Sequence, residues 1–196
     1  RYNIFTQQIE FDENVCQGAA SPERFYLGLA DHGHKIAKDL AYDCVVQVAR
    51  ENDYDPVKEY LEDCKKNASP ISIDRLASTY LRPEDAALPE PTIYDQMLKC
   101  TMIAAVKRVF EPGCKFDNAC VLMGPQGAKK SSFWAVLGGK FFSDALKDIS
   151  TKDALMVLHR SWIMEMSEID LVQSKKHSGE IKAFLSQSTD MFRVPY

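Results

Sequence analysis

The stretch from Val121 to Gly139 constrains the fold more than any other part of the chain. It reads VLMGPQGAKKSSFWAVLGG and matches the phosphate-binding pattern G-x-x-x-x-G-K-[ST] at all fixed positions but one. Gly124 opens the pattern, and Lys130 and Ser131 close it, but Lys129 stands where the pattern has glycine. Such a loop needs a buried strand before it and a helix after it, because N–H groups at the helix start converge on the phosphates.

The segments around this loop have the order that such a fold requires. The apolar run 119–123 predicts a strand buried on both faces, and the glycine pair at 138–139 predicts the end of the helix that follows. Two further strands are predicted within 140–146 and 161–166, with helices over 151–159 and 179–187. Strands that alternate with helices predict an α/β fold in which helices cover a parallel sheet.

The first half of the chain is predicted to be helical. Helix starts are indicated at Ser21-Pro22-Glu23 and at Asp55-Pro56, and a long amphipathic helix is predicted from Thr92 to Phe110. Residues 82–91 carry three prolines and predict a linker. We therefore expect a helical N-terminal region at 1–90 and a phosphate-loop core at 91–196. The initial Arg1 indicates a fragment.

Composition narrows the class of protein. The net charge of −4 gives no overall basic excess, so contact with nucleic acid requires a local basic patch. No apolar run approaches the roughly 20 residues of a membrane span, and there is no signal peptide. Six cysteines without a C-x-x-C pair are typical of reduced thiols in a cytoplasmic protein. A zinc site at Cys114 and Cys120 is disfavoured because the ligand spacing is wrong.

The loop residues are predicted to bind the phosphates of ATP. These residues are Gly124, Pro125, Gln126, Gly127, Ala128, Lys129, Lys130, Ser131 and Ser132. Lys130 adds a full positive charge, and the hydroxyl of Ser131 is predicted to bind Mg²⁺. We expect Lys129 to have a near-helical backbone, because positive φ would cost about 1–2 kcal/mol. The alternative is a Gly-Pro turn followed by a lysine-rich helix start.

Two glutamates complete the candidate site: Glu165, carried by the predicted strand at 161–166, and Glu168, three residues later. Hydrolysis requires an acid for the metal and a group that orients the attacking water. Glu165 would be costly to bury without a partner, and Mg²⁺ or Lys130 would be such a partner. We therefore assign Glu165 to the metal and Glu168 to the water. The alternative is an exposed edge strand with solvated acids.

Five segments make the chain resemble the virulence-associated protein E family. They are DPVKEYL, EPGCKFDNACVLMGPQG, KKSSFWAVLGGKFFSDAL, WIMEMSEID and IKAFLSQSTDMFRVPY, and together they run from Asp55 to Tyr196. The family is encoded by phages and other mobile elements and is regarded as P-loop ATPases related to superfamily 3 helicases. The resemblance implies that Lys182, Asp190, Arg193 and Tyr196 belong to the family's C-terminal motif. It also implies ATP and Mg²⁺ as cofactors, a ring of subunits, and a primase domain as neighbour or partner. Because the family continues into further strands, the resemblance implies that the core at 91–196 stops before its last strands.

Three functions remain open at the level of sequence. The leading one is the ATPase module of a primase–helicase that contacts single-stranded DNA through Lys175, Lys176, His177 and Lys182; these residues also fit a solvated helix face. The second is a small-molecule kinase, for which neither a lid nor an acceptor pocket is evident. The third is a non-catalytic interaction or regulatory protein that lost activity at Lys129.

Overall fold

The computed structural model describes residues 1–11, 21–67, 69, 71–145, 158, 160–166, 179 and 182–183. The chain divides into two compact units, residues 1–60 and 61–196. The functional division that the sequence predicted, at residues 90 and 91, stays a prediction. Helices predominate, and the second unit holds a small parallel sheet, which confirms the predicted α/β class. Within the described ranges, no helix has the length and apolar character needed to cross a membrane.

The first unit combines a small sheet with helices. Its strands are β1 (Tyr2–Asn3), β2 (Gln8–Ile9) and β3 (Asp53–Tyr54), in the order β2-β1-β3, with β2 antiparallel and β3 parallel to β1. A 3₁₀ turn at Pro22–Arg24 leads into α1 (Phe25–Asp31), followed by α2 (Lys38–Glu51). The start near Ser21 is therefore confirmed. The buried residues Ala41, Val45 and Ala49 recur at intervals of four on α2, which is the spacing of one helix face.

Helix α3 (Pro56–Asn67) begins where the sequence predicted. The Asp55 carboxylate accepts the N–H groups of Val57 at 2.9 Å and Lys58 at 3.1 Å. These N–H groups have no partner inside the helix, so an aspartate in front of the first turn satisfies them. Pro56 at the first helical position needs no N–H partner at all.

Helix α4 (Ile93–Phe110) is the longest helix of the second unit and starts at a capping box. Thr92 and Asp95 exchange hydrogen bonds, as the N-cap and third helical residues do in this motif. Asp95 is wholly buried and also accepts the N–H and hydroxyl of Ser78, which lies in a π-helical turn at Ala77–Leu81. The cap therefore joins two elements that are 17 residues apart in sequence.

The predicted linker at 82–91 forms turns and bends without regular secondary structure, as expected. The guanidinium of Arg75 donates to three of its backbone carbonyls, those of Ala86, Leu88 and Pro89, at 2.8–3.2 Å. Because loop carbonyls need hydrogen-bond partners, one arginine fixes most of this segment.

Helix α5 (Lys130–Gly138) and the strands β4 (Phe142–Ser143) and β5 (Ile163–Met164) form the part of the second unit that carries the loop. The two strands pair in parallel, as predicted. Backbone bonds from Trp162 to Phe141 and from Glu165 to Ser143, both 2.8 Å, extend the pairing. Gly139 ends α5 with φ of +50°, a conformation that glycine adopts without strain.

The prediction of a buried strand at 119–123 is wrong. This segment has no regular secondary structure, and the side chains of Val121 and Met123 are 54% and 91% exposed. A buried strand needs ladder partners on its edges and layers on its faces. Among the described residues, β4 and β5 pair with each other and neither pairs with 119–123. An apolar run without such partners lies on the surface whatever its composition.

Gly138 is required by close packing between α5 and the β4–β5 pair. A Cβ atom at Gly138 would lie 2.8 Å from the Cβ of Phe142 and 3.3 Å from that of Ile163. We expect Gly138→Ala to lower the free energy of unfolding by about 1–3 kcal/mol, the usual cost of overpacking. Urea denaturation measures this change. Gly179→Ala is the control, since a Cβ there meets no atom within 4 Å; equal losses in both variants would contradict the packing argument.

Candidate functional site

The loop from Gly124 to Lys129 is exposed and leads directly into α5. A turn bond from the Ala128 N–H to the Pro125 carbonyl, 3.3 Å long, closes it. Gly127 and Lys129 have φ of +81° and +57°, while Ala128 between them has negative φ. This alternation of positive and negative φ resembles the backbone of an anion-binding nest, in which successive N–H groups face one ligand. The buried strand expected before the loop is absent among the described residues, so this alternation and the start of α5 are the parts of the motif that the structure retains.

The expected near-helical backbone at Lys129 is wrong. Its φ of 57° and ψ of 29° lie in the left-handed region. The general pattern has glycine at this position, which adopts positive φ without strain, and the loop here keeps positive φ although the residue is lysine. Lysine accepts the strain, of roughly 1–2 kcal/mol, instead of changing the shape of the loop. Its side chain is exposed.

Lys129→Gly is expected to raise the free energy of unfolding by about 1 kcal/mol, because the strain in the left-handed region disappears. We expect the affinity for ATP to change by less than about tenfold, since the backbone donors stay in place. Thermal unfolding and calorimetry measure the two effects. Ala128→Gly is the matched control: it lies in the same loop with an ordinary φ, and glycine there is expected to destabilise. Stabilisation by both variants, or by neither, would contradict the assignment of strain to Lys129.

The side chain of Lys130 folds back over the loop. Its ammonium donates to the carbonyl oxygens of Gly124 and Pro125 at 2.8 and 2.9 Å. Lys130 is half-buried, unlike the exposed loop residues before it. The positive charge is thus held inside the loop by two neutral carbonyls, which are weaker partners for an ammonium than an anion.

The hydroxyl of Ser131 donates to Oε1 of Glu165 at 2.6 Å. The two residues are 34 positions apart, one in the first turn of α5 and the other directly after β5. The sequence predicted that Glu165 points toward the loop with Mg²⁺ or Lys130 as partner; the structure places its carboxylate at Ser131, in the first turn of the helix that follows the loop. The alternative of a solvated acid on an edge strand does not fit a carboxylate that is half-buried against the helix start.

The second carboxylate oxygen of Glu165 lacks a partner among the residues that the structure describes. This oxygen, Oε2, is buried. A buried anionic oxygen without a donor is unfavourable, and a metal ion would compensate it. The described residues contain no group of three or more His, Cys, Asp or Glu side chains able to hold a metal. One carboxylate and one hydroxyl nevertheless suit Mg²⁺, which usually keeps waters and takes further oxygens from phosphates.

Several predicted site residues lie outside the part of the chain that the structure describes. They are Glu168, Lys175, Lys176, His177, Asp190, Arg193 and Tyr196. Lys182 is described and exposed, which suits either DNA contact or a solvated helix face. Cys114 and Cys120 are free thiols, as are the other described cysteines, and burial raises the pKa of Cys120.

Sequence reasoning missed the contact that joins β5 to α4. The indole N–H of Trp162 donates to the carbonyl oxygen of Ala105 at 3.0 Å. A tryptophan in an apolar strand carried the signal, since a buried indole N–H needs a hydrogen-bond acceptor. The acceptor itself is 57 positions away, so the sequence did not identify it.

Residues of the second unit match the sequence pattern of a known protein family. The sequence profile of the virulence-associated protein E-like domain matches residues 61–196, which is more than half of the chain. The match covers the loop, helix α5, both strands of the parallel pair and Glu165. No curated protein matches the chain.

Proposed function

The chain belongs to the virulence-associated protein E-like family, which associates it with phages and mobile elements, and from that premise we propose that it binds and hydrolyses ATP. The module would serve a primase–helicase-like protein in the DNA replication of such elements. The observation that carries this proposal is the contact between Ser131 and Glu165 at the start of α5. It brings a hydroxyl and an acid from distant segments to the loop that holds Lys130.

The charges at the loop support a polyphosphate as ligand. Lys129 and Lys130 follow one another at a helix N-terminus, where the helix dipole adds partial positive charge. The Lys130 ammonium donates to two neutral carbonyl oxygens. Phosphate oxygens in their place would be charged acceptors, and the hydrogen bonds would be stronger. The proposed role of Lys130 is therefore to leave the two carbonyls and bind phosphate.

Ser131 and Glu165 would hold Mg²⁺ between them. Both supply oxygen, which is the ligand atom that this ion prefers, and Glu165 brings the negative charge. The ion would supply neutralisation of charge on the phosphates. Glu168 is proposed to orient the attacking water, a role that lies outside the described residues. Single-stranded DNA, a ring of subunits and a primase domain are the proposed partners of the complete protein.

An assay of ATP hydrolysis with and without single-stranded DNA tests the function. Stimulation by DNA supports the motor, and turnover that requires a metabolite supports a kinase instead. Absence of nucleotide binding and of turnover in a full-length protein would contradict the proposal.

Glu165→Gln is expected to reduce turnover at least tenfold and to raise the Mg²⁺ concentration needed for half-maximal activity, because the metal loses its charged ligand. Titration of activity with Mg²⁺ measures both effects. Glu111→Gln is the matched control, since Glu111 is exposed and forms a surface ion pair with Lys107. Unchanged Mg²⁺ dependence in Glu165→Gln would remove Glu165 from the metal site.

One observation favours a second function. Lys129 is in the left-handed region, which costs energy in every folded molecule. A loop that has lost selection for nucleotide binding tolerates such a residue, so a silent interaction or regulatory module is the second candidate. It predicts that Lys129→Gly stabilises the fold and that neither form binds ATP.

A further inference from the structure

We infer that Trp162 is a positioning residue, whose indole N–H holds strand β5 against helix α4 and thereby keeps the Glu165 carboxylate at Ser131. The inference deepens the proposed function and rests on it for the role of Glu165 in ATP hydrolysis. The placement of Glu165 by Trp162 can be tested without nucleotide.

The first step is the bond between Trp162 and the carbonyl of Ala105, 3.0 Å long. Ala105 lies in the interior of α4, where the helix backbone is regular. The N-terminus of α4 is fixed by the capping box and by the buried Asp95. Trp162 therefore attaches β5 to a helix that is itself held in place.

The second step is that β5 needs such an attachment. Each strand of the parallel pair is two residues long, and an isolated two-stranded pair is marginal in water. The backbone bonds of Trp162 and Glu165 go to Phe141 and Ser143, which lie in or next to β4. These bonds fix β5 relative to β4. They do not fix how close the two strands lie to α4, which depends on side-chain contacts.

The third step concerns distance. Glu165 follows Trp162 by three residues, or about 10 Å of extended chain. The Ser131 hydroxyl and Glu165 Oε1 are 2.6 Å apart. Hydrogen bonds between hydroxyl and carboxylate weaken beyond about 3 Å, so a small shift of β5 breaks the contact. Loss of the indole N–H is therefore expected to uncouple Ser131 from Glu165.

A double-mutant cycle tests this in the full chain. Ser131→Ala, Glu165→Ala and the double variant are compared by urea denaturation, first in the unaltered chain and then with Trp162→Phe, which keeps an aromatic ring and removes the N–H. We expect a measurable coupling between Ser131 and Glu165 in the first set and a loss of at least half of it in the second. Trp134→Phe provides the control background, since Trp134 lies on α5. We expect the coupling between Ser131 and Glu165 to persist in that variant.

Equal coupling with and without the Trp162 N–H would overturn the inference, and so would the absence of coupling in the unaltered chain. A merely structural role for Trp162 lowers overall stability but leaves the coupling intact. If the coupling depends on Trp162 while the protein binds no ATP, the positioning stands and the proposed function fails.

A second measurement keeps the inference testable if Trp162→Phe does not fold. The two tryptophans give two indole N–H signals in a ¹⁵N NMR spectrum, and Trp134→Phe leaves that of Trp162. We expect this signal to shift in Ser131→Ala and Glu165→Ala but not in Asp117→Ala, which removes a surface partner of Lys115. A Trp162 signal that is unmoved in the first two variants would overturn the inference.

Discussion

Replacing Lys130 with alanine is expected to weaken ATP binding by roughly tenfold or more. A charge-assisted hydrogen bond to phosphate is worth about 1.5–3 kcal/mol, and Lys130 is the pattern lysine of the loop. Its ammonium already lies within the loop, 2.8 and 2.9 Å from the carbonyls of Gly124 and Pro125. Isothermal calorimetry measures the affinity.

Lys140→Ala is the matched control for this variant. Lys140 is an exposed lysine just after α5, and its ammonium lies 5.0 Å from the ring centroid of Phe141. Its removal changes the total charge by the same amount but leaves the loop intact. Equal losses of affinity in the two variants would mean that net charge, and not the position of Lys130, determines binding. Unchanged affinity in Lys130→Ala would remove Lys130 from the phosphate site.

Replacing Asp95 with alanine is expected to lower the free energy of unfolding by roughly 2–4 kcal/mol. The change removes half of the capping box of α4 and leaves the N–H and hydroxyl of Ser78 and the N–H of Thr92 without their acceptor. Urea denaturation at neutral pH measures the loss. Asp74→Ala is the control, because Asp74 is exposed and solvent screens its ion pair with Lys99, so a much smaller loss is expected.

Asp95 also gives the stability a specific pH dependence. Burial raises the pKa of its carboxyl, but the hydrogen bonds from Ser78 and Thr92 outweigh this effect and lower the pKa from 3.8 to about 2. The folded state therefore favours the ionised form, and this contribution is fully present above the ordinary pKa. It is lost as the pH falls from about 4 toward 2. In Asp95→Ala the corresponding part of the acid destabilisation should disappear; an unchanged acid profile would contradict this role of Asp95.

The sequence predicted well the helix ends that depend on residues close together in the chain. Asp55 and Thr92 begin helices because their side chains satisfy N–H groups only two or three residues away. Gly139 ends α5 because its own backbone freedom allows the required φ. The sequence also predicted that Glu165 needs a partner near the loop, because a carboxylate is costly to bury alone, but it named Mg²⁺ or Lys130 and not Ser131.

The tertiary structure decided which distant residues become partners. The run at 119–123 has the composition of a buried strand, yet neither β4 nor β5 pairs with it, and Met123 is 91% exposed. Asp95 and Trp162 gained their partners, Ser78 and Ala105, across 17 and 57 positions. The backbone conformation of Lys129 likewise depends on more than the residue itself. The side chain favours one backbone conformation, but the shape of the whole loop imposes another, because hydrogen-bond geometry over several residues outweighs a strain of about 1–2 kcal/mol.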